Sequence, residues 1–574
     1  MDEDQFSLIP TPEGKLVGRP LEQLPVVRRV TSEVLAHAKS LAVEPKRVRI
    51  AGFELRTPDA ELITMWANAI QVPPDDLLEH LSTARLDAGQ WSAHDGVYPA
   101  WIPADAVDFE VVDGELRSLV WDLNQFPCFP DLWVPGLKLR KFALWTSKGV
   151  NTELRLAPAA PDLTELWIWG VPDVDFPRSK KPSLLKSLSL SGLPHLRRFM
   201  CADFIITDLD LSTTKDLKQL ECRNNQLTEL DLSAVPGLQE LSCRENLLTA
   251  LDLSVVSGLQ RLDCSENQLR EIDLSRIPGL IELNCGDNLL ATLDLSPVTE
   301  LEKLLCHDNQ ITTLDLSLVC SLKELWCADN QLFELNLSAV PGLRTLCCSN
   351  NYFTELDLSA ATNLHWLQCG GNHLTELDLS AVTNLERLQC RGNRLTELDL
   401  SHVPGLISLG FNDNQLPEID LSAVPGLHAL GCEKNHLTGI DLSPVPNLVV
   451  LHCGSNSLSE LDLSPVPRLR VLLCGSNQIS ALDLSVVPRL RRLSCGNNGL
   501  TELDLSSVAG LNKLDCQENE LTELDLSPVA DLHELNCSNN NITALDLPAA
   551  LTHLRCDQFV VLYNQSQELY VSRQ

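Results

Sequence analysis

Residues 217–238 read LKQLECRNNQLTELDLSAVPGL, and the pattern LxxLxCxxNxLTxLDLSxxPxL returns every 21 residues on either side of them. The asparagine of this unit recurs from Asn225 to Asn540, sixteen times without substitution or slip. A chain of 574 residues would otherwise divide into several globular domains. A repeat array escapes that limit, because each unit buries its apolar face against the next and one core runs as far as the repeats do.

Each repeated residue has a physical reason. In LxxLxC, Leu220 and Cys222 alternate with Gln219 and Glu221, the period-2 pattern of a strand with one buried face. Stacked copies would form a parallel sheet with strands about 4.8 Å apart. Asparagine suits the turn that follows, since its amide both donates to and accepts from backbone groups leaving the sheet. Phe204 and Phe559 take the same position at the two ends of the array, where an apolar side chain closes the core. The second half-repeat, LTELDLS, alternates again, with Leu230 and Leu232 inward and Glu229 and Asp231 outward. Adjacent helices need about 8–10 Å of spacing, twice what the strands allow, so this half is expected to be extended.

LxxLxCxxNxL with LTxLDLS resembles the 21-residue class of bacterial leucine-rich repeats related to internalin-like arrays, over about 440 residues from near Leu116 to Phe559. The resemblance implies a solenoid with a parallel sheet on its concave face; it implies no particular partner, because repeat folds host many functions. The expected fold is therefore a gently curved leucine-rich-repeat solenoid of parallel β-structure, with short extended segments on the convex side and a small helical N-terminal domain. We divide the chain into a helical capping domain (1–110), degenerate repeats (111–195), regular repeats (196–558) and a C-terminal cap (559–574). The helical expectation rests on the spacing of apolar residues in 21–42, 59–70 and 74–84, and on PPDD at 73–76 as a helix start.

Seventeen of eighteen rungs carry Cys at the third inward position, the exception being Phe411. That column is linear and flanked by leucine, whereas a metal site needs ligands converging in a closed shell, so the thiols read as small buried hydrophobes. Phe411 belongs to the core for the same reason. The aspartate of LDLS and ten glutamates two residues before it supply 26 of the 78 acidic residues, a stripe along the outer face. Aligned like charges repel, so hydrogen bonds from serine and backbone, or cations, must offset them. A solvated face is the favoured reading, with calcium as the alternative.

The net charge of −34 argues against nucleic acid and anionic membrane as partners. The start, MDEDQFSLIPTPEGK, has neither the basic n-region nor the apolar h-region of a secretory signal. A cytoplasmic, monomeric protein with reduced thiols is expected, without cofactor, metal or catalytic residues.

Specificity then falls to the varying concave positions, the second, third, fifth, seventh and eighth of LxxLxCxx. Trp145, Trp167 and Trp169 lie there in the degenerate rungs, followed by Arg197, Arg198, Arg223 and Arg244; Trp and Arg are the residues enriched in binding hot spots. This patch opposes the general acidity and suits an acidic protein partner, unless the N-terminal domain covers it. Leu305, Trp326, Cys347 and Trp366 form a strip on four successive rungs, and Val449, Val450, His452, Val471 and Leu473 a second apolar group. The reading is a scaffold that binds a protein along its concave face. Its rivals are an effector whose activity lies in residues 1–110, with the repeats as recognition module, and a calcium-stabilised structural array.

Overall fold

The computed structural model describes residues 193–557 without a break, and shorter segments elsewhere, among them 6–10, 16–20, 47–50, 53–56, 110–112, 115–122, 139–146, 154–155, 162–170, 187–190 and 560–563. The chain falls into two compact units, Met1–Leu290 and Ala291–Gln574.

In the first unit a hairpin of Glu110–Val112 against Glu115–Asp122 opens a sheet that continues with the parallel strands Lys141–Thr146, Glu165–Gly170 and Arg198–Ala202. Three-residue strands then follow one per repeat, from Gln219–Glu221 to Glu282–Asn284. The degenerate rungs pair in the register that the leucine pattern sets, Ser118 with Lys141, Lys141 with Glu165 and Glu165 with Arg198. The second unit repeats the arrangement from Lys303–Leu305 to His553–Arg555, every pair parallel. Each strand is short because only the third, fourth and fifth positions of LxxLxC pair. The fourth is the buried leucine, as Leu220, Leu346 and Leu367 illustrate.

One geometry recurs along the regular rungs. Asn246 donates through Nδ2 to the carbonyls of Cys222, Cys243 and Arg244 at 2.9, 3.0 and 3.1 Å, and accepts the Leu227 N–H at 3.1 Å. Its amide thus closes the turn in its own rung and ties it to the rung before, the role expected for it. The residue ahead of each asparagine is left-handed, from Asp203 at φ 66° to Asn539 at φ 57°, with Gly371 and Gly392 among them. The eighth concave position is therefore constrained by the backbone, favouring Asn, Asp and Gly, and is less free to vary than its sequence suggests.

The second half-repeat closes with two consecutive tight turns: Val235 N–H bonds to the Leu232 carbonyl at 3.0 Å, and Leu238 N–H to that of Val235 at 3.1 Å. Among the described residues, paired strands form on this side only near the ends, where Asp208–Asp210, Ser187–Ser189 and Leu154–Arg155 line up in the first unit and Ala544–Asp546 meets Val561–Tyr563 in the second. Elsewhere the turns leave too few residues per rung for a ladder.

The inward column is as expected: the cysteines from Cys201 to Cys537 are free and buried, as is Phe411. Burial pushes their thiols up, those of Cys306 and Cys390 to about 12. Phe204 is buried at its end of the array; Phe559 lies outside the described residues. The first 110 residues carry both helix and strand among the described residues. Ala60, Ile63, Thr64, Ala67, Pro74, Asp75 and Leu77 are helical, and residues 21–42 lie outside the described residues. Two antiparallel hairpins, Phe6–Pro10 with Leu16–Pro20 and Arg47–Ile50 with Phe53–Arg56, lie in the same region outside the segments read as helical. Alternation such as Val48, Ile50, Phe53 and Leu55 around Ala51-Gly52 is a hairpin signal that the helical spacing of the neighbouring segments obscured. Among the described residues no helix is long and apolar enough to cross a membrane.

Candidate functional site

The concave face presents the third, fifth and seventh positions in columns one strand apart. In the first unit the strands bring Trp167 beside Ala143 and Met200, and Trp145 beside Trp169. Trp167 is partly exposed, and the side chains of Trp145 and Trp169 lie outside the described residues.

The arginines that follow are already engaged. Arg223 pairs with Glu221 at 3.2 Å, Arg198 lies 3.9 Å from Glu165, and Arg244 holds both Glu245 and Glu266. Arg261 joins the same lattice, bridging Glu240 at 2.6 Å and Glu282 at 3.1 Å. Burial pushes the carboxyls of Glu221 and Asp263 up, with Arg223 and Ser265 respectively opposing it. Arg197 is exposed. The cationic patch that sequence alone draws here is thus largely neutralised, because glutamates occupy neighbouring positions in the same and adjacent columns.

The second unit differs. Trp326 and Trp366 meet edge to face, ring centroids 5.7 Å apart, above Cys347, whose thiol donates to Gln368 Oε1 at 3.0 Å. Leu305 and Cys347 are buried in the strip, while both tryptophans remain partly exposed. Trp326 Nε1 is buried without an acceptor among the described residues, a cost of about 1–3 kcal/mol. On the far side of Trp366 the Arg387 guanidinium sits over the ring at 5.8 Å, a cation–π contact. Between these groups opens a cavity of about 440 Å³, lined by Trp366, Gln368, Arg387, Gln389 and Arg391 with Ser349, Asn350, Gly370 and Ser408. Sequence reading found Trp326 and Trp366 but missed Arg387 and Arg391; their spacing of four residues across a strand and turn was the available signal.

Val450 pairs with Val471, and His452 with Leu473. All four are partly exposed, as is Val449, and burial lowers the His452 pKa. This group stands four strands, about 19 Å, from Trp366.

The outer acid stripe is organised by serine. Asp231 Oδ1 accepts the Ser233 N–H at 2.8 Å, and the same turn recurs at Asp357 and Asp462 and at Asn336. These bonds hold the aspartates below the usual carboxylate range, outweighing repulsion from the neighbouring rungs. In the second unit part of the stripe lines a trough of about 1800 Å³ that includes Glu334, Glu355, Glu376 and Glu397. At its edge Phe333, 63% exposed, packs at a tilt against Tyr352, 44% exposed, at 5.1 Å between centroids. Nothing in the repeat pattern singled out this pair.

Neither a protein-family model nor a curated protein sequence matches the chain. Solved structures do. The functional domain of InlJ from Listeria monocytogenes, described as including a cysteine ladder, is 32% identical at a TM-score of 0.53, the match covering 61% of this chain and 74% of that one. That ladder has its counterpart in the column from Cys201 to Cys537. The chain belongs to the internalin-like leucine-rich-repeat proteins. YopM from Yersinia enterocolitica is similar to this internalin-like array at 29% identity and a TM-score of 0.54, over 67% of this chain and 88% of that one. The Arabidopsis receptor kinase HAESA, solved with the peptide hormone IDA and the co-receptor SERK1, shares the fold at 19% identity and a TM-score of 0.57, over 89% of this chain and 90% of that one.

Proposed function

We propose that the protein is an interaction scaffold that binds a protein partner on the concave strands of its second unit, with Trp326 and Trp366 as anchors. The observation that carries this reading is the edge-to-face tryptophan pair, partly exposed beside an open cavity. Elsewhere on the described concave face of this unit Lys303 and Lys513 are paired with glutamates, and Val450, Val471 and Leu473 are smaller apolar side chains. Tryptophan in a partly desolvated setting is the residue type that contributes most to protein contacts. Complexes seen in distant members of the fold, HAESA with its peptide hormone and co-receptor among them, are consistent with such a role. The group at Val450, His452 and Leu473 extends the same surface, and the Trp145, Trp167 and Trp169 patch is a second contact region of the first unit.

The test is quantitative capture of partners from the source cell by the intact chain, by Trp326→Ala/Trp366→Ala and by Trp145→Ala/Trp167→Ala/Trp169→Ala, each with unchanged melting. Loss of a protein with the first variant supports the reading. Equal recovery with it rejects the second-unit strip, and loss only with the second variant moves the contact to the first unit.

A further inference from the structure

Across the rungs of Thr345, Trp366, Arg387 and Ser408, the third, fifth and seventh concave positions carry no acid. They are Thr345, Cys347 and Ser349; Trp366, Gln368 and Gly370; Arg387, Gln389 and Arg391; Ser408, Gly410 and Asn412. In a chain of net charge −34 this is a local reversal. Lysines at the third concave position of the same unit are paired, Lys303 with Glu324 at 3.1 Å and Lys513 with Glu534 at 2.7 Å. Arg387 and Arg391 have no ion pair among the described residues.

The surrounding groups add donors. Gln368 Oε1 accepts from the Cys347 thiol, and its Nε2 brings two N–H donors. Glycines shape the floor. A Cβ on Gly370 would lie 2.8 Å from Arg391 Cγ, and one on Gly410 would lie 2.0 Å from Gln389 Oε1. The missing side chains therefore let Arg391 lie back over one rung and Gln389 lean over the next, leaving the space between Trp366 and Ser408 open. Donor excess, two guanidiniums without an ion pair among the described residues and an aromatic wall describe a receptor for an anionic planar group.

We propose that this cavity receives a carboxylate side chain from an acidic segment of a protein partner. The inference rests on the concave-face reading above. A carboxylate fits better than a phosphate because the whole-chain field opposes each added negative charge on the ligand, while a single charge is met by two guanidiniums at contact. Glu386, Asp413 and Glu433 flank the acid-free patch, and they limit the occupant to a short acidic cluster.

The experiment is fluorescence anisotropy of the full chain with three rhodamine-labelled decapeptides, alternating Gly with Glu, with Gln or with phosphoserine. The Glu peptide is expected to bind at least about tenfold tighter than the Gln peptide, and tighter than the phosphoserine peptide, with an advantage that shrinks as salt rises. Arg387→Gln/Arg391→Gln is expected to bring Glu binding down to the Gln level. Ser408→Glu, which supplies a carboxylate from within, is expected to do the same without removing either arginine. Both variants should melt as the parent does. Equal binding of the Glu and Gln peptides, binding of neither, preference for phosphoserine, or indifference to both variants overturns the proposal. Partner capture separates the two levels: loss with Trp326→Ala/Trp366→Ala but not with Arg387→Gln/Arg391→Gln leaves the concave reading standing and removes the carboxylate.

Discussion

Replacing Asn351 with alanine tests how the array is held together, because each bond it makes is accounted for. Its Nδ2 donates to the carbonyls of Cys327, Cys348 and Ser349 at 2.9, 3.2 and 3.2 Å, and its Oδ1 accepts the Leu332 N–H at 2.9 Å. The carbonyls keep other donors after the change: Cys327 retains Asn330, Cys348 retains Asn372 and Ser349 retains the Asp329 N–H. Only the Leu332 N–H is orphaned. An unpaired buried amide costs about 1–3 kcal/mol and the lost bonds about 1 more, so Asn351→Ala should destabilise by roughly 2–4 kcal/mol. The sharing of carbonyls makes a further statement. Adding Asn372→Ala strips Cys348 O of both donors, so that pair should exceed the sum of its singles by about 1–2 kcal/mol. Adding Asn393→Ala, which serves Cys369 and Cys390, should be additive. Urea unfolding gives the totals, and hydrogen exchange at Leu332 gives the local opening, which matters because long arrays need not unfold in one step. A cost below about 1 kcal/mol for the single change, or equal coupling for the two double variants, would refute the shared-carbonyl account.

Raising the pH should destabilise the fold between about pH 9 and 12. The folded thiols ionise later than unfolded ones, Cys306, Cys390 and Cys474 near 12, so the folded state holds more protons there. Their contribution is intact below the unfolded thiol pKa and lost as pH climbs through the folded one; a flat melting profile over that window would contradict it. In the native protein at neutral pH a thiol reagent should label Cys320, which is exposed, far faster than the buried column, as peptide mass mapping would show. Calcium at millimolar levels, against chelator, should leave the melting temperature unchanged, since the outer aspartates already accept serine N–H groups; a rise of several degrees would favour the calcium-stabilised array.

Much of this was legible beforehand, for a physical reason: stacking imposes the same requirement on every rung, and sixteen copies of Asn or a run of inward Cys report it sixteen times over. The register of the irregular strands at Lys141, Glu165 and Arg198 followed from their leucines in the same way. What resisted reading occurs once. The hairpin at Arg47–Ile50 and Phe53–Arg56 sits among segments with helical spacing. The pairing of Arg223 with Glu221 and of Arg244 with Glu245 depends on side-chain reach across columns. Arg387 and Arg391 mattered only once Gly370 and Gly410 were seen to make room beside them. The left-handed eighth position was hidden because Glu245, Glu266 and Lys434 tolerate it beside the more usual Asn and Asp.

The central claim, that the concave strands of the second unit carry the contact, is tested most directly by photo-crosslinking. A benzoylphenylalanine placed at Gln368, in the cavity wall, and another at Ser380, in the outer serine turn, sample opposite surfaces of the same unit. Irradiation in the source cell should give a partner adduct from position 368 and none from 380. Adducts from 380 alone would place the contact on the acidic outer face and contradict the account.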